Sequence, residues 1–371
     1  MAISTAATEF ERHPDLPPPT MTVGVIGWLR NNLFSSVPNT LLTLLALYLL
    51  YISIPPLFQW AFIDSNWIGA SRSDCTGGGA CWVFILKRLN QFIYGFYPEA
   101  ERWRVNLGFG LLVILCVPLF IKGFPRKAWL VAFVLFVYPV LVFFLLYGGI
   151  FGLQVIATDQ WGGLMLTLVL SAVGMVASLP LGILLALGRR SSMPIVRTFC
   201  VAFIELWRGV PLITVLFMSS VMLPLFFPEG VTLDKLLRAL IGITLFESAY
   251  MAEVVRGGLQ AIPTGQYEAA KALGLSFWKS MTLIIMPQAL KLVIPGIVNT
   301  FIALFKDTTL VIIIGLFDLL GAVEAAIKDP NWLGYAVEGY VFAAVIFWFF
   351  CYSMSRYSQA LERKLSTGHQ Q

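Results

Sequence analysis

Residues 261–290 run AIPTGQYEAAKALGLSFWKSMTLIIMPQAL, a stretch too polar to cross a membrane and yet regularly patterned. Pro263 fixes the backbone, and Thr264 has the side chain to cap a short helix starting near Gly265. Glu268 falls in the first turn of that helix, where a carboxylate interacts favourably with the helix dipole. Gly274 supplies the left-handed position that ends it, Ser276 can cap a second short helix, and Pro287 stands where the chain turns into the next apolar run. The pattern predicts two short helices across one mouth of a bundle, with a small-residue ridge of Ala269, Ala270 and Ala272. Such a helix protrudes and suits rigid docking in a partner's groove, or it serves as a plain amphipathic connector.

The chain on either side is built for a bilayer. Of its 371 residues, 58% are hydrophobic and 12% charged, with a mean hydropathy of +0.82. A soluble chain is about 25% charged, so too little polar surface remains to cover a water-soluble body of this size. A cytosolic enzyme, a disulfide scaffold and a disordered chain are excluded. A hydrocarbon layer about 30 Å thick takes about 20 apolar residues of helix. About eight runs qualify, at 39–63, 105–121, 128–150, 160–188, 199–226, 239–255, 287–313 and 335–355. The first four carry no Asp, Glu, Lys or Arg. The fifth holds Glu205 and Arg208, the sixth Glu247 and Glu253, the seventh Lys291, Lys306 and Asp307, and the eighth Glu338. Embedded charge costs several kcal/mol and faces a partner or an aqueous cavity, so function is expected in the second half.

Basic residues set the orientation. Lys122, Arg126 and Lys127, then Arg189, Arg190 and Arg197, then Arg256, Lys271 and Lys279, then Arg356, Arg363 and Lys364 fall on one side, which places both termini in the cytoplasm. The long segment 64–104 lies outside despite Arg72, Lys87, Arg88, Arg102 and Arg104. In it Cys75 and Cys81 flank a Gly-rich turn, CTGGGAC, and can close a small loop in an oxidising compartment. Cys116, Cys200 and Cys351 lie in apolar runs, as small buried thiols do. The two histidines, His13 and His369, sit in polar tails, so no metal site is expected. The first twenty residues lack a basic segment followed by an apolar one, so no cleaved signal peptide is expected. The chain divides into a cytoplasmic segment at 1–38 with a short interfacial helix near 23–34, three accessory helices with the outer loop at 39–157, a five-helix core at 158–362 and a tail at 363–371.

Glu268-Ala269-Ala270, three residues, Gly274, nine residues, Ile284, one residue, Met286 and Pro287 resembles the EAA loop of ABC importer permeases, E-A-A-x3-G-x9-I-x-L-P. Met286 in place of Leu is the one departure. Three further segments are similar to the polar amino-acid permease family: Trp207-Arg208-Gly209-Val210-Pro211-Leu212, the run from Ala249 to Gly258, and Phe305-Lys306-Asp307-Thr308-Thr309-Leu310. The resemblance covers about 160–362. The extra N-terminal spans resemble the longer membrane subunits of general L-amino-acid importers of Gram-negative bacteria. It implies an all-α integral protein of the bacterial inner membrane whose last five helices form a type I permease core. It also implies a second permease subunit that is a different chain, a dimeric ATPase carrying ATP and Mg, and a periplasmic amino-acid-binding protein. Membrane lipid is the remaining partner, and nucleic acid is not one. Glu268, Ala269, Ala270, Gly274 and Pro287 are then the ATPase-coupling residues. The chain contains no Gly-Lys dipeptide, hence no phosphate-cradling loop, so its energy comes from another polypeptide or from an ion gradient.

An amino-acid zwitterion in the membrane needs acceptors for its ammonium and donors for its carboxylate. Glu247, beside Ser248 near the middle of the sixth run, suits an ammonium or a cationic side chain, or else pairs with Arg208 between helices. Asp307 and Thr308 lie beyond Pro295 and Gly296, where a helix break leaves backbone groups facing a pathway; a capped break is the plainer reading. Arg208, before Pro211, can hold a carboxylate bidentately or pair with an acid such as Glu205. Glu253 and Arg256, three apart on one helical face, read as an ion pair on the gate side. The competing function is an ion-coupled secondary amino-acid transporter using Glu247 and Asp307. No catalytic cluster supports an enzyme.

Overall fold

A hydrocarbon layer offers no water to backbone N–H and C=O groups, so a spanning segment must satisfy them within a helix. The computed structural model is accordingly helical almost throughout. It describes residues 24–366 except 76, 122, 229, 231 and 232. The expectations for 1–23, for Lys122 and for the tail from 367, His13 and His369 included, lie outside the described residues. In chain order the helices are α1 (Gly24–Asn32), α2 (Val37–Phe58), α3 (Trp82–Tyr94), α4 (Arg102–Phe120), α5 (Lys127–Ala132), α6 (Tyr138–Tyr147), α7 (Gly163–Arg189) and α8 (Pro194–Gly209). They continue as α9 (Leu212–Val221), α10 (Lys235–Ala261), α11 (Thr264–Ala272), α12 (Phe277–Ser280), α13 (Met286–Asp307), α14 (Leu319–Ile327) and α15 (Ala336–Ser366).

Among the described residues, 6 helical segments are long and apolar enough to cross a membrane, and 7 if one bent pair counts as a single span. That pair is the expected fifth run. It is not one helix: α8 and α9 meet at 105°. Pro211 causes the bend by removing an N–H and forcing Val210 into an extended conformation (φ −115°, ψ 137°). The expected sixth run lies inside α10, 27 residues long, which carries Lys235, Arg238, Glu247, Glu253 and Arg256. The expected seventh run starts earlier than Pro287. It is continuous from Phe277 to Ile314, because α12 passes through a π-helical turn at Met281–Ile285 directly into α13. The second short helix of the connector is therefore the root of a span. The break expected at Pro295 and Gly296 is absent, since α13 runs unbroken through both. The change comes at Thr308, where a 3-10 segment takes over to Ile314.

By backbone contacts the chain forms two units. One consists of the described residues up to Asn66 together with 77–80. It holds α1, at the place expected for an interfacial helix, and α2, which has no buried residue. The other comprises 67–75 and the described residues from Cys81 onward. Its largest apolar core joins Tyr97, Val105, Leu146 and Ile156 to Leu166, Leu170, Ile243 and Leu304, so α4 and α6 share one interior with α7, α10 and α13. A second core packs Phe84 and Phe92 of α3 against Val323, Ala326 and Trp332. Cys75 and Cys81 are joined by a disulfide, with Cα atoms 5.7 Å apart. The Cys81 N–H donates to Glu338 Oε1 at 3.0 Å, and Arg88 pairs with Asp329. The N–H of Asn331 and the Arg88 guanidinium hold the Asp329 carboxyl below its ordinary range. A depressed carboxylate stabilises the fold above its unfolded value, and that contribution is lost as pH falls through the folded one.

The interface between α7 and α10 is the largest in the molecule. Gly174 and Gly182 of α7 are buried against Ile243, Met251 and Ala252 of α10, and small residues of this kind let two helix backbones approach closely. A Cβ on Gly182 would stand 2.6 Å from Met251 Cβ and 3.0 Å from the Ala252 backbone nitrogen. On the outer face of α10, a Cβ on Gly257 would meet nothing within 4 Å. Gly182→Ala should therefore cost about 1–3 kcal/mol by overpacking, whereas Gly257→Ala should be neutral or stabilise by up to about 1 kcal/mol. Unfolding of the purified protein in detergent separates the two, and equal effects would refute the close approach.

Candidate functional site

Three groups of residues carry the chemistry, and all of them are attached to α10. The first is the connector at its end. Pro263, at the N-cap, starts α11 at Thr264, one residue earlier than expected, so Thr264 lies inside the helix rather than capping it. Glu268 consequently lies a full turn in, beyond the best reach of the dipole. Gly274 takes the left-handed conformation (φ +69°). Its N–H bonds Lys271 O at 2.9 Å and that of Leu275 bonds Ala270 O at 3.2 Å, the paired bonds of a Schellman end. Ser276 stands at the start of α12, but its side chain makes no capping bond. Glu268, Ala269 and Pro287 are exposed and Ala270 is buried. Around them the apolar side chains of Leu273 (74%) and Trp278 (62%) stand open. The root of this stub is held firmly: Tyr267 OH donates to Leu259 O at 2.9 Å, and Arg190 donates to that same hydroxyl at 3.0 Å.

The second group is a charge hub. Glu253 accepts from Arg256 Nε at 2.9 Å, and from Arg189 of α7 at 2.7 Å. Arg189 also reaches Glu205 of α8 at 3.1 Å. One carboxylate thus ties α7 to α10, and one arginine ties both to α8. Arg208 lies 3.9 Å from Glu253 and over the ring of Tyr250, 5.7 Å from its centroid. Among the described residues, neither of the pairings considered for Arg208, with Glu205 or with Glu247, forms; Arg189 takes Glu205 instead. Arg189, Arg190, Tyr250 and Tyr267 are the members that the sequence pattern missed. Their only signal was the double arginine at a span end, which serves equally well for orientation.

The third group lies deeper. Glu247 is buried (2% exposed), and among the described residues it has no hydrogen-bond or ion-pair partner. Its charged neighbour is another acid, Asp307, with which it interacts electrostatically. The structure therefore brings together two of the expected site residues that lie sixty positions apart in sequence. Ser248 donates to Leu245 O at 2.8 Å and Thr308 to Phe305 O at 2.8 Å, so both hydroxyls keep only acceptor capacity. Two acids that feel each other's charge, with hydroxyl acceptors beside them in sequence, favour a cationic group nearby. Among the described residues, no set of three His, Cys, Asp or Glu could hold a metal ion.

The model of the family described as "Binding-protein-dependent transport system inner membrane component" matches residues 178–367. The chain belongs to this family. The chain is 59% identical to the inner membrane amino-acid ABC transporter permease protein YhdY of Escherichia coli (strain K12), over 96% of this chain and 97% of that one. It is 41% identical, over 95% and 96% of the two chains, to the glutamate/glutamine/aspartate/asparagine transport system permease protein BztC of Rhodobacter capsulatus. The glutamate/aspartate import permease protein GltK of Escherichia coli O6:H1 is 33% identical, and covers 54% of this chain with 91% of its own length. A binding-protein-dependent transport component of this kind is a multi-pass inner membrane subunit, not an enzyme, and ATP hydrolysis belongs to a separate partner.

The hub ties α7, α8 and α10 to one another near the end of α10 that leads into the connector. Glu253→Gln removes the negative charge that Arg189 and Arg256 share and turns one of the two accepting oxygens into a donor, in a mostly buried site, and should destabilise the protein by about 1–3 kcal/mol. Glu205→Gln, at a side chain 57% exposed, should cost less than about 1 kcal/mol. Thermal unfolding in detergent compares them, and the reverse order would remove Glu253 from the hub.

Proposed function

We propose that this chain is the permease subunit of an ATP-driven ABC importer that moves L-amino acids across the bacterial inner membrane. The observation that carries this reading is the stub at 264–287: an exposed, apolar-edged helix, rigidly rooted in α10 and α13, on a chain of the binding-protein-dependent family. In this reading the chain crosses the membrane eight times, with α8 and α9 as one broken crossing and α10 as a charged one. The last five crossings form a type I core, and both termini are cytoplasmic. Glu268, Ala269, Ala270, Gly274 and Pro287 form the EAA coupling loop and meet a dimeric ATPase that holds ATP and Mg. The other partners are a second, different permease chain and a periplasmic amino-acid-binding protein.

ATP-driven closure of the engine pushes the stub, and the rigid root passes the movement to α10 and α13. Those two helices carry Glu247 with Ser248 and Asp307 with Thr308. Moving one element against another around a fixed site is alternating access, a two-state assembly biased by nucleotide affinity. The facing acids hold the substrate ammonium, and Arg208 is the nearby donor for its carboxylate. Glu253 with Arg256 closes the cytoplasmic side. The names of YhdY, BztC and GltK support amino acids as the cargo. An ion-coupled carrier using the same two acids is the reading that the family match does not favour.

Membranes containing the complete system test the proposal. An ATPase should co-purify with the wild-type chain, and Glu268→Lys or Gly274→Asp should release it and cut uptake by at least about tenfold, one charge-assisted contact's worth. Uptake that survives either change without any ATPase would support the ion-coupled carrier instead. In competition assays with acidic, basic and neutral amino acids, Glu247→Gln should alter selectivity or rate. An unchanged profile would remove Glu247 from the ligand shell.

A further inference from the structure

At the end of the bundle that carries α11, a cavity of about 450 Å3 opens among the last turn of α7, the first turns of α8 and the last turns of α10. Its lining is Arg189, Arg190, Arg197 and Arg256, with Val201 and Gln260. Four guanidinium groups around one cavity repel one another, so the acids that compensate them matter. Arg189 and Arg256 share Glu253, and Arg189 also meets Glu205. Arg190 is spent on neutral oxygens, Leu259 O at 3.0 Å and Tyr267 OH at 3.0 Å. The Arg197 guanidinium has no hydrogen-bond or ion-pair partner among the described residues; the residue's backbone N–H donates to Met193 O at 3.0 Å. Four positive charges thus face two negative ones, and the uncompensated pair, Arg190 and Arg197, borders the space itself.

We propose that this cavity binds a phosphate group, supplied either by the headgroup of an anionic phospholipid or by a soluble phosphate. A guanidinium presents a planar fork of N–H donors that matches phosphate oxygens two at a time. Inorganic phosphate has enough free oxygens to meet Arg190, Arg197 and the unused donors of Arg189 together, and the phosphodiester of a lipid headgroup offers two free oxygens, enough for the forks of Arg190 and Arg197. The space holds about fifteen waters at about 30 Å3 each, ample for a glycerophosphate headgroup. Basic pockets between helices at the cytoplasmic ends of spans are where anionic headgroups are attracted. Because Arg190 also grips Tyr267 at the root of the stub, an anion here draws α7, α8, α10 and α11 toward one another.

The test uses the complete chain, purified with the subunits that accompany it and stripped of lipid in a neutral detergent. It is titrated with dioctanoyl phosphatidylglycerol, dioctanoyl phosphatidylcholine and inorganic phosphate, and bound molecules are counted by native mass spectrometry. Phosphatidylglycerol should bind at least about tenfold more tightly than phosphatidylcholine, and Arg197→Gln should weaken it about tenfold, as loss of one charged hydrogen-bond partner does. Arg197→Lys should bind between the wild type and Arg197→Gln, because it keeps the charge and loses the planar fork, and raising the salt should lower the affinity. Saturable binding of inorganic phosphate with the same dependence on Arg197, without lipid preference, supports the site with a soluble source. Equal binding of both lipids with no effect of phosphate overturns the proposal, as does wild-type binding by Arg197→Gln. Loss of an accompanying subunit from Arg197→Gln would make this face a protein contact and also overturn it. The salt dependence is read on the unmodified chain and so holds even if a variant fails to fold.

Discussion

A helix that carries Glu247, Glu253 and Arg256 in a chain built for a bilayer needs protein around those charges, and the rest of the molecule is arranged around that constraint. α10 is enclosed by α7, α8, α9 and α13. Close enclosure is possible because α7 presents Gly174 and Gly182 to it. Bulkier residues there would hold the two backbones apart and leave the charges of α10 short of protein partners. The small residues of α7 and the acids of α10 are therefore two halves of one device.

Enclosure also explains how movement at one end can reach the middle. Arg189 joins Glu253 and Glu205, Arg190 joins Tyr267, and α13 is unbroken from Met286 to Asp307. A push on α11 passes through the Gly274 turn and the π-helical turn at Met281–Ile285 into α13, which is unbroken up to Asp307. The bend at Val210-Pro211 and the change of helix type at Thr308 are the two places where the regular ladder is interrupted near the buried acids. Interruptions at membrane depth are tolerated where they are buried in protein or line a cavity.

Much of the site was legible in residues read singly. Gly274 ends α11 in the left-handed conformation that its position demanded, and Glu253 and Arg256 pair at the spacing of one helical turn. The failures have a common cause. Thr264, Ser276 and the expected break at Pro295 were read from local preference, and in each case the neighbouring turn decided otherwise. Pro263 took the N-cap position, the Ser276 side chain made no bond, and α13 continued through its proline. Arg208 was paired with the nearest or the most buried acid, but Arg189, on another helix, had already claimed Glu205.

Composition and hydropathy by themselves determined that the chain is a membrane protein, roughly where its apolar runs fall, and that its charge is concentrated in the second half. The spacing from Glu268 to Pro287 determined the family. These properties are sums or short patterns along the chain, so no knowledge of neighbours is needed to read them. The tertiary structure alone decided that Arg189 meets Glu253, that Glu247 lies within electrostatic reach of Asp307, and that α4 and α6 share a core with the later helices. Several pairings of these charges are nearly equal in Coulomb energy, and only the packing of α7, α8, α10 and α13 selects which groups come within bonding distance.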